Sequence, residues 1–198
     1  MTKGVKRLDI QELLKGAVLI GKGKQGRVYK LASDRCIKIY SDEQHAQMEY
    51  KSYCRAEGSP VIPKLYETGP NYLIMELVQG ASLDRYLKKK GAMTRSDTER
   101  ILFIIHEMIR LGFTRIDAAV FHIFIDQDQP TGKVIDLVNS YTKQYHIPLV
   151  MFKGLSKLNV LNSFLTHVKA LDPELYQMWA NYLMARSERY GKLQVFDE

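Results

Sequence analysis

The chain has 198 residues, 45% of them hydrophobic and 26% charged, with a formal net charge of +7. These are the figures of an ordinary globular protein: one domain, or one domain of two small lobes, with a sizeable core. They exclude neither nucleotide, nucleic acid, acidic protein nor lipid headgroup as an anionic partner. Cys36 and Cys54 form neither a disulfide framework nor a metal-ligand spacing, so reduced thiols are expected. The longest aliphatic or aromatic run, Ile101 to Ile105, is far too short to cross a bilayer, which predicts no membrane association. Lys3, Lys6 and Arg7 are followed by no apolar stretch of signal-peptide length, and the expected location is the cytoplasm.

In chain order, residues 8–15 read as a short amphipathic helix. Strand patterns follow at 17–22, 26–32 and 35–40, with Ser33-Asp34 turning the chain between the last two. Ser41-Asp42-Glu43-Gln44 has the spacing of a capping box and predicts a helix to about Ala56, ended by Gly58-Ser59-Pro60. Two further strands are expected at 64–68 and 71–78, around Gly69-Pro70-Asn71. The character changes after Gly80. A helix is expected over 82–90, and Ser96-Asp97-Thr98-Glu99 forms a second capping box. From there Ile101, Leu102, Ile105, Met108 and Ile109 line one helical face as far as Gly112. Short strands near 122–126 and 133–136 flank Gln129-Pro130-Thr131-Gly132. The tail reads as helical, with Asp172-Pro173 as N-cap and first-turn proline, and Leu175, Met178, Trp179, Tyr182 and Leu183 as a core stripe. The boundary at Gln79-Gly80 separates a strand-rich part, 1–79 with 1–15 as its leading helix, from a helical part, 80–198.

The most informative stretch is Gly21-Lys22-Gly23-Lys24-Gln25-Gly26-Arg27-Val28. Apolar Ala17-Val18-Leu19-Ile20 precedes it, and alternating Arg27-Val28-Tyr29-Lys30-Leu31 closes it. A glycine-rich turn between two strands differs from a dinucleotide-binding turn, which opens a helix. Residues without Cβ let backbone N–H groups approach a triphosphate closely. Lys38 lies on the next strand and shares a face with Cys36. Glu49 falls on one helical stripe with Ala46, Tyr53 and Ala56, an apolar face that turns inward. A carboxylate there needs a partner, and Lys38 is the obvious one. Glu43 is the alternative, though a first-turn role at the helix dipole explains it adequately.

In this order the motifs resemble the protein kinase superfamily. Gly21 to Val28 matches G-x-G-x-x-G-x-V at every specified position, and Arg35-Cys36-Ile37-Lys38 is similar to the V-A-I-K strand. The resemblance implies a two-lobed α+β fold, with an antiparallel-sheet N-lobe carrying one helix and a small, mostly helical C-lobe. It implies that Gly21, Gly23, Gly26 and Val28 cover ATP, that Cys36 touches adenine, and that Lys38, held by Glu49, reaches the phosphates. Tyr72 to Leu83 resembles the strand that crosses between lobes, with Met75 as gatekeeper and the Glu76 C=O and Val78 N–H facing the adenine edge.

Beyond Leu83 the pattern departs from the family. Arg115 to His122 aligns with H-R-D-x-x-x-x-N. Asp117 keeps the aspartate that accepts or orients the substrate hydroxyl proton. His122 stands where the metal-binding asparagine belongs, Ala119 replaces a phosphate-contacting lysine, and the loop histidine and arginine are absent. In Val134-Ile135-Asp136-Leu137-Val138, Asp136 takes the place of the metal-binding D-F-G aspartate. Mg²⁺ is the implied metal, with Mn²⁺ as alternative because imidazole suits it better. The chain is short after Asp136 and has no recognisable A-P-E, in which it resembles RIO-type minimal kinases. The resemblance covers residues 16–140.

Two functions follow: an ATP-dependent serine/threonine protein kinase with a protein acceptor, or an ATP-binding pseudokinase serving as scaffold or regulator. Lys88-Lys89-Lys90 would suit a nucleic acid, but without interleaved aromatic residues it reads as a solvated helix end. Asp126-Gln127-Asp128 lies in a hairpin turn, where aspartates have local reasons to occur.

Overall fold

Five antiparallel strands form the main sheet: β1 (Val18–Lys22), β2 (Gly26–Lys30), β3 (Arg35–Tyr40), β4 (Leu65–Thr68) and β5 (Tyr72–Glu76), in spatial order β1-β2-β3-β5-β4. The structure is a computed structural model that describes residues 10–190, with side chains through 185. Alternation of side chains along β3 and β5 divides the apolar residues between two faces. Ile37, Tyr72 and Ile74 meet Ile10, Leu13 and Leu14 on one side. Cys36, Tyr40, Leu73 and Met75 join the main core on the other. The expected leading helix is a single turn, α1 (Ile10–Leu13), while Leu8 and Asp9 lie outside the described residues.

In the main sheet, β2 and β5 end two residues before their patterns predict, for local hydrogen-bonding reasons. β2 stops at Lys30 because the N–H groups of Leu31 and Ala32 both turn to the Arg35 carbonyl. β5 stops at Glu76 because the Leu77 N–H donates to Asp34 O. The next helix, α2 (Glu43–Arg55), is capped by Asp42, whose carboxylate accepts from Gln44 N–H at 2.8 Å. Ser41 does not cap it; its hydroxyl donates to Gln25 O at 3.2 Å in the glycine-rich hairpin.

Past Gly80 come a three-stranded sheet, order β6-β7-β8, and five helices. The strands are β6 (Ala81–Ser82), β7 (Ile123–Ile125) and β8 (Lys133–Val134). Nothing in the local sequence marks β6. It exists because Gly80, at φ +85, brings the chain so close to β7 that a Cβ would sit 2.3 Å from Ile125 O. The helices are α3 (Leu83–Lys90), α4 (Arg95–Arg110), α5 (Leu149–Lys157), α6 (Leu161–Leu171) and α7 (Pro173–Tyr190). The described residues thus form an α+β protein with seven α-helices. No helix among them is long and apolar enough to cross a membrane.

Three details of the helical part differ from expectation. The capping box of α4 is Thr94 with Asp97, not Ser96 with Glu99. The buried Asp97 carboxylate is the reason: it accepts from Thr94 N–H, Tyr86 OH and Lys90 Nζ, tying α3 to α4. Lys90 is therefore committed within the chain and is not a free surface cation. On α4, Ile104 is buried and Ile109 exposed, so the inward face is rotated from the expected stripe. On α7, Asp172 caps as expected, accepting from Leu175 N–H at 2.9 Å. Leu175, Trp179 and Leu183 are buried, but Met178 and Tyr182 face outward, so the core stripe is narrower than its spacing. The Asp126–Asp128 segment is a turn, with Asp128 N–H donating to the Asp126 side chain.

Gly26 is the glycine of the loop that packing itself demands, since a Cβ there would lie 2.0 Å from Ile39 O. Gly26→Ala is expected to destabilise by about 1–3 kcal/mol. Gly23, with nothing within 4 Å of its would-be Cβ, should tolerate alanine within about 0.5 kcal/mol. Denaturant unfolding of the two variants checks the contrast.

Candidate functional site

The site is assembled around Lys38. Val28 pairs with Lys38 in the β2–β3 register, so the glycine-rich hairpin runs directly beside it. The hairpin is held by Gly23 N–H on Gly26 O and by Ser41, whose N–H and hydroxyl both donate to Gln25 O. Gly21 is not demanded by packing either, because its would-be Cβ makes only ordinary contact with Val28 at 3.6 Å.

Lys38 Nζ donates to Glu49 Oε2 at 2.5 Å and to Asp136 Oδ1 at 3.0 Å. Burial alone would lower the ammonium's pKa, but the two carboxylates more than offset it and leave it raised. Glu49 is 1% exposed and shares its inward face with Ala46, Tyr53 and Ala56, as the spacing predicts. Glu43, the alternative partner, is exposed in the first turn of α2. Two further groups share the Glu49 carboxylate. Tyr40 OH donates to Oε2 at 2.5 Å, and Leu137 N–H donates to Oε1 at 3.0 Å. Three residues along α2, the Ser52 hydroxyl donates to Leu137 O at 2.9 Å. Helix α2 therefore grips both backbone polar groups of the residue next to Asp136.

Asp136 itself has φ +66, a left-handed conformation that aspartate and asparagine tolerate better than most residues. Burial would raise its carboxyl pKa, but the Lys38 ammonium outweighs burial and holds it below the usual range. Asp136 lines a cleft with Arg115, Asp117 and His122. His122 Nδ1 stands 3.8 Å from Asp136 Oδ2, too far for a hydrogen bond. Burial holds the imidazole below its usual pKa despite the facing carboxylate, which keeps it neutral and able to offer a lone pair.

Asp117 has a structural task that its sequence position does not announce. Pro148 stands at the N-cap of α5 and offers no side-chain acceptor, so Asp117 Oδ1 fills that role from across the chain. It accepts from Val150 N–H at 2.8 Å and Met151 N–H at 3.3 Å. Burial pushes the carboxyl pKa up, only partly countered by these two bonds. Oδ2 has no hydrogen-bond partner among the described residues.

Cys36 and Met75 face each other across β3 and β5, both buried. Tyr53 OH donates to Met75 Sδ at 3.1 Å, and burial pushes the Cys36 thiol up to about 11, so it stays protonated. Glu76 turns its carboxylate to Lys133 Nζ at 2.9 Å and Lys64 N–H at 3.0 Å, while its carbonyl lies 3.8 Å from the Cys36 thiol. Val78 is half-buried just beyond the strand. Tyr40 and Ser52 carry no expected role in the sequence, and Arg115 stands there only as the first residue of the aligned loop. Two of them were legible: Tyr40 continues the Cys36, Lys38 strand face, and Ser52 lies on the Glu49 helix face.

No protein-family profile matches the sequence. A curated protein of Bacillus subtilis (strain 168), named "Putative serine/threonine-protein kinase YrzF", is 31% identical to this chain over 135 residues. The match takes in 65% of this chain and spans 61% of the length of that relative. This similarity supports a kinase-like relationship, and an α+β fold with an antiparallel sheet is compatible with it.

Removing Glu49 would leave Lys38 and Leu137 without their common acceptor. Glu49→Ala is expected to lose about 3–5 kcal/mol of stability, measurable by denaturant unfolding. Because the folded-state pKa of Asp136 is lowered, its contribution is present above the ordinary carboxylate range and lost as pH falls through the folded value. Asp136→Asn keeps the backbone conformation accessible and should flatten the acid limb of stability against pH.

Proposed function

We propose that the chain is an atypical ATP-dependent kinase that transfers the γ-phosphate of ATP to a serine or threonine hydroxyl of a protein. The observation that carries this reading is the chain of contacts from Glu49 through Lys38 to Asp136, with Asp117 and His122 in the same cleft. The nucleotide would lie between the part before Gly80 and the part after it. The glycine hairpin would cover its phosphates, and Cys36, Met75, the Glu76 carbonyl and the Val78 N–H would line the base. Gly21 and Gly23 support this, since neither is required by the protein's own packing and Gly23 leaves open space at the hairpin.

Lys38 would contact the phosphates with its ammonium positioned by Glu49. Asp136 and neutral His122, with Oδ2 and Nδ1 3.8 Å apart, would hold a divalent cation, and the imidazole favours Mn²⁺ over Mg²⁺. When bound, the metal would screen charge on the phosphates. Asp117, made more basic by burial, would take the acceptor hydroxyl proton on its free oxygen. The acceptor oxygen then bonds to the γ-phosphorus as the bond to the bridging oxygen breaks, and the electron pair leaves with ADP. Economy after Asp136, where α5 begins without a long intervening segment, is in keeping with a minimal, RIO-like kinase.

A pseudokinase is the competing reading, favoured by the capping task of Asp117 and by His122 in place of asparagine. Single-turnover transfer from labelled ATP separates the two. Asp117→Ala should slow transfer by about 10²–10⁴-fold, Lys38→Ala should abolish it, and His122→Asn should raise the Mg²⁺-supported rate. Transfer unchanged in Asp117→Ala contradicts the mechanism, and nucleotide binding without transfer to any acceptor favours the pseudokinase.

A further inference from the structure

The cleft holds two carboxylates, Asp117 and Asp136, which repel a polyphosphate unless cations compensate them. Lys38 is committed to Glu49 and Asp136. Ala119 offers no charge. On the Asp117 side, Arg115 is the cation that lines the cleft.

Its placement is unusual. Arg115 Nε is buried with no hydrogen-bond partner, and its guanidinium enters no ion pair among the described residues. The backbone below it is pinned: Arg115 N–H donates to Ser140 O at 3.2 Å, and Ile116 N–H donates to Tyr145 O at 3.0 Å. The Tyr145 ring, with its centroid 5.9 Å from the guanidinium carbon, supports the side chain from one side. A buried guanidinium N–H without an acceptor is costly, and its planar fork matches phosphate oxygens. We propose that Arg115 binds the terminal phosphate of the nucleotide, supplying the cation on the Asp117 side of the cleft. The proposal rests on the nucleotide reading above.

Calorimetric titration with ATP and with ADP, both with Mn²⁺, tests this on the full chain, Arg115→Met and Arg115→Lys. Arg115→Met should lose about tenfold or more in ATP affinity while ADP affinity stays within about twofold. Arg115→Lys should recover part of the preference for ATP. An ATP-to-ADP affinity ratio unchanged in both variants overturns the proposal and assigns Arg115 to balancing Asp117. If the methionine variant melts below the assay temperature, the lysine variant carries the test through the same ratio. Failure of the wild-type chain to bind either nucleotide overturns the nucleotide reading itself, and the Arg115 assignment with it.

Discussion

The buried carboxylate of Glu49 is the point on which the site depends. It is almost wholly removed from water, and an unpaired charge there would be costly, so every group it meets is held in place by that requirement. It binds Lys38 from β3, Tyr40 from the same strand and the Leu137 N–H from the segment after β8. A sheet, a helix and a distant loop are thereby joined through two oxygen atoms. Ser52 completes the clamp from the same helix by holding the Leu137 carbonyl.

That clamp has a consequence for Asp136. Its left-handed backbone is sparsely populated for residues with a side chain and persists where the surroundings fix it. Leu137 is fixed on both its polar groups, and Lys38 fixes the Asp136 carboxylate. Contacts from α2 thus hold Lys38 and the residue beside Asp136 in one place. On the other side of the cleft, Asp117 is held by the first turn of α5, which lacks a cap of its own. Two elements, α2 and α5, thus hold the two acidic residues that line the cleft.

Much of this was legible from residue spacing. The inward stripe of α2 named Glu49, and strand alternation placed Cys36 and Lys38 on one face, as observed. Capping residues were harder to read. Ser41 and Ser96 have the right spacing, yet Asp42 and Thr94 cap, because Ser41 is drawn to Gln25 and Asp97 reaches back to Thr94. Local pattern does not reveal such competition for partners. It also conceals β6, which depends on the close approach at Gly80, and the capping of α5 by a residue far away in sequence. The unpaired Nε of Arg115 is likewise a property of the folded cleft and not of its sequence neighbours.

In the proposed function, Lys38, Asp136 and His122 together receive a metal-bound nucleotide. The most direct measurement is the paramagnetic broadening that Mn²⁺ imposes on histidine ring resonances with and without ATP. ATP-dependent broadening is expected at His122, not at His106, which is bonded to Asp172 on the surface, and it should be lost in Asp136→Asn. Broadening that spares His122 while ATP is bound, or that persists undiminished in Asp136→Asn, would contradict it.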